Sequence, residues 1–180
     1  MKNIKCIWLL PVICICFFGS CTKKTADKKF FDVPGYFENE IKSIKNYSST
    51  ITKLAVYNAD TSYEELNVKD VNWEKEFAIF LETDINKPNY YANMTTVSEN
   101  FGHRITYQAT SDKLKIQKVV VEYRPDTNRM VEISIHKNNL ISVTEIHAIY
   151  IPDSLYSISG EQKIKNLGDK NTFFVKGEFK

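Results

Sequence analysis

The chain has 180 residues, with 24 basic against 22 acidic side chains and 43% hydrophobic residues. These values are typical of a globular protein and exclude a disordered, collagen-like or coiled-coil chain. Lys2 and Lys5 account for the excess positive charge, and residues 21–180 carry equal numbers of acidic and basic side chains. The sequence therefore gives no indication of a nucleic-acid partner, which would require clustered excess Lys and Arg.

The first twenty residues are typical of a secretory signal. Lys2 and Lys5 form a basic start, and an apolar run follows from Ile7 to Phe18, interrupted only by Pro11. This run is shorter than the roughly 20 apolar residues of a membrane-spanning helix, but it suits the apolar region of a signal peptide.

The apolar run ends in Phe18-Gly19-Ser20-Cys21, which resembles the lipobox of bacterial lipoproteins, with Phe18 where that family usually has Leu. The resemblance implies cleavage between Ser20 and Cys21, thioether attachment of diacylglycerol to Cys21, and acylation of the new amine. The other cysteines, Cys6, Cys14 and Cys16, all lie in the leader, so the exported domain would have no disulfide and no thiolate metal site. A plain signal peptide with an incidental cysteine, or a buried N-terminal helix, are the alternatives.

The resemblance also predicts location and domain organisation. Acyl chains on Cys21 would hold the protein stably on a membrane of the bacterial cell envelope. Thr22 is not the Asp associated with inner-membrane retention, so we expect the outer membrane, facing the periplasm. We divide the chain into a signal peptide (1–20), a lipidated flexible tether (21–31) and a single α+β domain (32–180). The Lys-, Asn- and Ile-rich usage is compatible with an AT-rich bacterium of the Bacteroidota, and the domain resembles small uncharacterised lipoproteins of that group.

Two amphipathic helices are predicted after the tether. The first runs from Pro34 to about Tyr47, with Asp32 as a possible cap and apolar residues at helical spacing. The second begins after an N-cap at Asp70 and ends before Asn86 and Pro88. It carries Trp73, Phe77, Phe80 and Leu81 on one face. A hairpin of 51–57 and 62–68 separates the two helices, and residues 86–102 look irregular.

From Arg104 onward the apolar residues alternate with period two, which predicts a β-meander. The predicted strands are 104–109, 114–124, 130–136, 140–151, 155–160 and 172–179, separated by Pro-, Asn- and Gly-containing turns. Short turns favour antiparallel pairing. The predicted fold is therefore α+β, with two amphipathic helices packed on an antiparallel β-meander sheet.

The apolar pattern also predicts the strand register. With Lys137-Asn138-Asn139 as a loop, Ile135 faces Ile141 and Ile133 faces Val143. On the neighbouring strand Val121 faces Ile133 and Val119 faces Ile135. We predict that these six residues form the centre of the core.

One polar cluster interrupts this pattern. Glu145 and His147 lie two residues apart on the face that carries Ile141 and Val143, and the predicted register sets Arg129 opposite His147. These three residues are the catalytic candidates, because such a group suits a small binding or acid/base site. We favour the alternative, in which this part of the strand leaves the core and carries an ion pair at its rim. The same register separates His136 from His147 by about 23 Å, too far to share a metal.

A second apolar face is visible on the same strands. Ile116, Leu140, Ile146 and Tyr150 would line the hollow of a curved sheet and are the ligand-binding candidates. The alternative, which we favour, is that the helices cover this face.

The sequence contains no G-x-G-x-x-G, G-x-S-x-G or H-E-x-x-H motif. We therefore expect no cofactor and no metal, and three classes of function remain. We favour a non-catalytic module that binds an envelope protein or component. The alternatives are a carrier or sensor of an apolar ligand, and a hydrolase with a site near Glu145 and His147.

Overall fold

A computed structural model describes residues 28–125, 129–168 and 170–180. The predicted signal peptide, the lipobox-like segment and Cys21 lie outside these residues. The described part of the chain is mainly a single nine-stranded antiparallel sheet with a few short helices on one side. The predicted combination of an antiparallel sheet and helices is thus confirmed in outline, with a larger share of strand than the α+β label suggests.

The helices are α1 (Val33–Ile44), α2 (Trp73–Glu76), α3 (Ala78–Leu81) and α4 (Pro88–Tyr91). The strands are β1 (Thr50–Tyr57), β2 (Asp60–Asn67), β3 (Met94–Glu99), β4 (Arg104–Ala109), β5 (Ile116–Tyr123), β6 (Arg129–Asn138), β7 (Ser142–Ile151), β8 (Leu155–Ile164) and β9 (Lys170–Phe179). Their order across the sheet is β2-β1-β9-β8-β7-β6-β5-β4-β3. Strands β3 to β9 thus form a continuous meander, and β9 joins it to the β1–β2 hairpin.

Helix α1 begins where the sequence predicts. The Asp32 carboxylate accepts a hydrogen bond from the backbone N–H of Gly35 at 3.1 Å, and Pro34 occupies the first turn. Its apolar residues Val33, Phe37, Ile41 and Ile44 are all buried. Phe30 is also buried, at 7% exposed, so the folded part begins within the segment that we assigned to the tether.

The second predicted helix is broken into shorter pieces. A 3-10 turn covers Val68–Asp70, and α2 starts after it with Asn72, not Asp70, as its cap. Phe77 then separates α2 from α3 with a non-helical backbone. The predicted apolar face survives this break, because Trp73, Phe77 and Phe80 are each 0% exposed.

The segment 86–102 is more regular than the sequence suggests. It contains α4 and the edge strand β3, whose residues after Met94 are all exposed. Because β3 buries only one side chain, its sequence has no alternating apolar pattern from which a strand could be predicted.

The β6–β7 register differs from the prediction by five residues. Ile133 pairs with Ala148 and Ile135 with Ile146, because the hairpin turns at Asn139–Ile141 and not at 137–139. The Asn139 side chain accepts hydrogen bonds from the backbone N–H groups of Ile141 and Ser142, which fixes this turn. An odd shift exchanges the two faces of a strand.

The predicted six-residue core is therefore correct for four residues and wrong for two. Val119, Val121, Ile133 and Ile135 are at most 2% exposed, although Val119 pairs with Ile133 and Val121 with Val131. Ile141 is 72% exposed at the hairpin tip, and Val143 lies on the opposite face of the sheet. Ile146, Ala148 and Tyr150 take their places in the core.

Candidate functional site

The helices of the described residues all lie on one face of the sheet, which we call the helix face. None of them covers the other face, which we call the open face. Two buried tyrosines of the sheet form hydrogen bonds to the helices. The Tyr150 hydroxyl donates to Glu40 of α1 at 2.6 Å, and the Tyr156 hydroxyl donates to Glu76 of α2. Burial is the main cause that raises the pKa values of both tyrosines, which keeps these hydroxyls protonated as donors.

The residues of the polar cluster lie on the open face, but the structure assembles them differently from the prediction. His136 pairs with Glu145, and the two side chains are hydrogen-bonded through Nδ1 of His136 and Oε1 of Glu145. Two residues further along the same strands, His147 pairs with Ser134. His136 and His147 are thus diagonal neighbours, whose separation across a sheet is about 7–8 Å and not 23 Å.

Arg129 does not belong to this cluster. It pairs with Tyr123 at the far end of β6, on the helix face, where its guanidinium lies 5.1 Å from the Tyr123 ring centre and 5.6 Å from that of Phe31. His147 is opposite Ser134, five residues from Arg129 along β6. The predicted Glu-His-Arg group is wrong in this respect, because it depended on the incorrect register.

Strand β8 completes the cluster with residues that sequence reasoning missed. Glu161 pairs with Glu145, and Ser159 pairs with His147. We call this group the open-face cluster: Ser134, His136, Glu145, His147, Ser159 and Glu161. Most of these residues line a shallow hollow of about 490 Å³. The alternation of Ile146, Ala148 and Tyr150 was the sequence signal that could have placed Glu145 and His147 on the open face.

The chemistry available to the open-face cluster is limited. A carboxylate bonded to an imidazole can orient a general base, but a hydrolase also needs a nucleophile or an activated water. The Ser159 hydroxyl donates instead to the backbone carbonyl of His147, at 3.4 Å. Within the described part of the chain, no group of three His, Cys, Asp or Glu side chains is placed to hold a metal ion.

The four ligand-binding candidates do not line one hollow. Ile116 and Tyr150 are 3% and 1% exposed in the core, and Ile146 is half-buried on the same face. Leu140 is 97% exposed at the β6–β7 hairpin tip. Helices cover the face that a carrier would need to keep open.

Apolar side chains lie on the same face of the sheet as the open-face cluster. Leu54, Ile149, Leu155 and Phe174 are half-buried on this face, and Val120 is fully buried among its neighbours. Charged residues of both signs are interspersed with them, including Lys118 and Glu132, whose side chains are 3.4 Å apart. The open face therefore combines apolar, polar and charged groups with no single sign of charge.

Comparisons with protein-family models, with curated proteins and with solved structures found no match for this chain. Among the helices of residues 28–180 that the structure describes, none is long and apolar enough to cross a membrane.

Proposed function

We propose that this protein is a lipoprotein of the bacterial cell envelope whose folded domain is a non-catalytic module that binds another envelope protein. The observation that carries the binding role is the arrangement of the sheet, with all described helices on one face and the mixed apolar and polar open face left to solvent. Protein interfaces typically combine apolar residues with a polar rim in this way.

The membrane location rests on the leader. A basic start, a short apolar run, two small residues and a cysteine occur in the order that lipoprotein processing requires. The anchor would be the acyl chains on Cys21, and the expected location is the outer membrane, facing the periplasm.

The anchor is tested with Cys21→Ala. We expect the parent chain to incorporate a radiolabelled or clickable fatty acid and the variant to incorporate none, because the thioether and the new amine both depend on Cys21. Mass spectrometry of the mature N-terminus measures the same property directly. An unmodified terminus at any residue other than Cys21 would refute the anchor.

The binding role is tested with a photoreactive amino acid placed in the intact protein in its native envelope. Ser157 lies on the open face next to Ile149 and is the test position. Asn39, an exposed residue of α1, is the matched control. We expect a discrete protein adduct from position 157 and none from position 39, with loss of the adduct in Ile149→Arg. Equal adducts from both positions, or none from position 157, would contradict a partner on the open face.

A hydrolase is the second candidate, and the His136–Glu145 hydrogen bond is the specific observation that favours it. If the open-face cluster hydrolyses an envelope component, Glu145→Gln should abolish the activity while leaving the fold intact. Retention of full activity in this variant would remove the cluster from the reaction.

A further inference from the structure

One aromatic side chain is fully exposed at the turn between β3 and β4. Phe101 occupies this turn in a left-handed conformation, with a φ of 54°, between Asn100 and Gly102, whose φ angles are also positive. Asn and Gly adopt this conformation readily, whereas a bulky residue rarely does. Because Asn or Gly at position 101 would suit the turn better, neither packing nor backbone geometry explains the phenylalanine ring.

The chain enters the fold at the same end of the sheet. The backbone N–H of Tyr123 donates to the carbonyl of His103, next to the turn, at 2.7 Å. The Arg129 guanidinium lies 5.1 Å from the centre of the Tyr123 ring and 5.6 Å from that of Phe31. These contacts connect the first residues of the folded domain to the strand ends that border the β3–β4 turn.

The predicted tether limits how far this end can lie from a lipid anchor. Seven residues separate Cys21 from Lys28, the first described residue, and a chain of that length spans at most about 25 Å. Strand β6 runs from Arg129 at this end to Asn138 at the other, so the β6–β7 hairpin tip lies about 30 Å away. Lipid on Cys21 would therefore hold the membrane closer to Phe101 than to that tip.

We propose that Phe101 forms a second contact with the membrane, in which its ring enters the lipid interface beside the acylated N-terminus. Phenylalanine is among the side chains that proteins at a membrane surface bury in this region. The contact rests on the proposed anchor at Cys21. It would fix which end of the sheet meets the membrane and leave the open face accessible to a partner.

Charge does not drive this contact. The described charged residues near the chain entry and the neighbouring turns are of both signs, with neither predominating: Lys28, Lys29, Arg104, Arg124 and Arg129 against Asp32, Glu99, Glu122 and Asp153. Several are paired with one another, including Arg104 with Glu122 at 3.0 Å and Lys28 with Asp32. Insertion of the ring should therefore need no anionic headgroup, and neutral phosphatidylcholine should suffice.

The size of the exposed apolar surface favours lipid over a second copy of the chain. Among the described residues of the β3–β4 hairpin, the exposed large apolar side chains are Val97 and Phe101. Together they could bury only a few hundred Å², whereas a stable protein interface takes about 800 Å² from each partner. A ring that enters lipid needs no complementary surface, and a short tether makes its binding effectively intramolecular.

The test attaches residue 21 to a membrane by a reaction that does not depend on the cell. In the full chain with the three leader cysteines changed to Ala, Cys21 is the only thiol. It is coupled to a maleimide phospholipid in phosphatidylcholine vesicles, with or without brominated acyl chains. One added tryptophan replaces Phe101 or, as the matched control, Leu140, which is 97% exposed at the opposite end. Subtracting the emission of the parent chain isolates the added indole.

We expect bromolipid to quench the Phe101→Trp signal at least about twofold and the Leu140→Trp signal by less than about a fifth, because quenching requires the indole to enter the lipid. Both positions are almost fully exposed, so an indole that sought the membrane by itself would be quenched at both. Equal quenching at the two positions, or none at position 101, would overturn the contact.

Amide hydrogen exchange tests the contact with the native ring in place. Relative to a chain capped with a soluble maleimide, vesicle coupling should slow exchange of residues 100–103 about threefold or more in the parent chain and leave it unchanged in Phe101→Asn. Asn tolerates the left-handed backbone at this position, so the variant keeps the turn and removes the ring. The same slowing in both chains would show that the ring makes no contact with lipid.

The outcomes separate this contact from the proposed anchor. Mass spectrometry of the mature N-terminus reports whether the cell acylates Cys21, whereas the coupled vesicles report the position of Phe101 whether or not it does. An acylated Cys21 without quenching at position 101 would leave the anchor and remove the second contact. A spectral shift at position 101 that depends on protein density in vesicles without bromine would identify a second copy as the occupant and also overturn it.

Discussion

Trp73 joins the second helical segment to the sheet through one side chain. It is fully buried, its indole N–H donates to the carbonyl of Val68 at 2.8 Å, and its ring stacks on Phe179 of the last strand with 5.5 Å between ring centres. Its ring also packs against the rings of Phe77 and Tyr156, with 5.2 and 6.3 Å between ring centres. Trp73 therefore lies between the second helical segment and the sheet, on the face that the sequence predicts to be apolar.

We expect Trp73→Ala to lower the free energy of unfolding by about 3–5 kcal/mol, because it leaves a large cavity and removes the partner of the Val68 carbonyl. Denaturant unfolding measures the loss. Trp73→Phe is the matched control and should lose less, since it keeps part of the ring packing. In a chain shortened to residues 21–180, Trp73 is the only tryptophan, so native emission should be blue-shifted and should move to the red on unfolding. A loss below about 1 kcal/mol in Trp73→Ala would contradict the burial.

Glu40 makes stability depend on pH. Burial raises the pKa of its carboxyl above the ordinary value, although the hydrogen bond from Tyr150 acts in the opposite direction. The pKa of the Glu40 carboxyl is higher in the folded protein than in the unfolded chain. The contribution of Glu40 to the free energy of unfolding is therefore complete at pH values below the pKa of the unfolded chain. It is lost as the pH rises through the folded pKa.

Glu40→Gln should remove this dependence while keeping an acceptor for the Tyr150 hydroxyl. We expect the parent chain to lose stability relative to the variant between about pH 4 and about pH 7. Denaturant unfolding at both pH values measures the difference, with Glu38→Gln, an exposed position on the same helix, as the control. If the difference in stability between the parent and Glu40→Gln does not change with pH, the pKa of Glu40 is not raised in the folded protein.

Among the strands, β9 has a glycine, Gly177, where the Tyr156 ring of β8 packs. Gly177 pairs with Tyr156, and a Cβ atom at Gly177 would lie 2.2 Å from the Tyr156 ring and 2.8 Å from Cδ1 of Ile51. The Tyr156 ring cannot move away easily, because its hydroxyl is bonded to Glu76, which also binds Lys53 at 2.6 Å.

Gly177→Ala should therefore destabilise the protein by about 1–3 kcal/mol through overpacking. Ser157→Ala, on the neighbouring strand but on the open face, is a control that should change stability little. Thermal or denaturant unfolding checks both. A neutral or stabilising Gly177→Ala would show that the Tyr156 ring has room to shift.

Element prediction from the sequence succeeded where one face of an element is strongly apolar. Helix α1, the β1–β2 hairpin and strands β4 to β9 all lie close to their predicted ranges. The β6–β7 register was wrong because Ile141 looks like a core residue and is exposed at a turn that Asn139 fixes. Since the candidate site depended on that register, Glu145 and His147 were grouped with Arg129 instead of with His136, Ser159 and Glu161. Local apolar pattern alone does not determine where a hairpin turns when two faces are both partly apolar.

At the scale of the whole molecule, the sheet has a protected centre and two exposed edges. Strands β5 to β8 lie inside the sheet, whereas β2 and β3 are its edges and are almost entirely exposed. We expect amide hydrogens of β6 and β7 to exchange only through global opening, and many of those in β2 and β3 to exchange much faster. Hydrogen exchange followed by mass spectrometry or NMR measures this. Equal protection of β2 and β6 would indicate that another surface covers the edge.

The pairing of β1 with β9 bears on how the chain is made. The first hairpin enters the sheet only through the last strand, with Ile51 opposite Phe179 and Lys53 opposite Gly177. During synthesis, which delivers the chain from its N-terminus, the β1–β2 hairpin has no neighbouring strand in the sheet until β9 has been made. A ribosome that stops before residue 170 would release a chain whose β8 is an unpaired edge and whose first hairpin has lost its neighbour. Such a product exposes strand edges that promote aggregation, so the sheet can close only after β9 has been made.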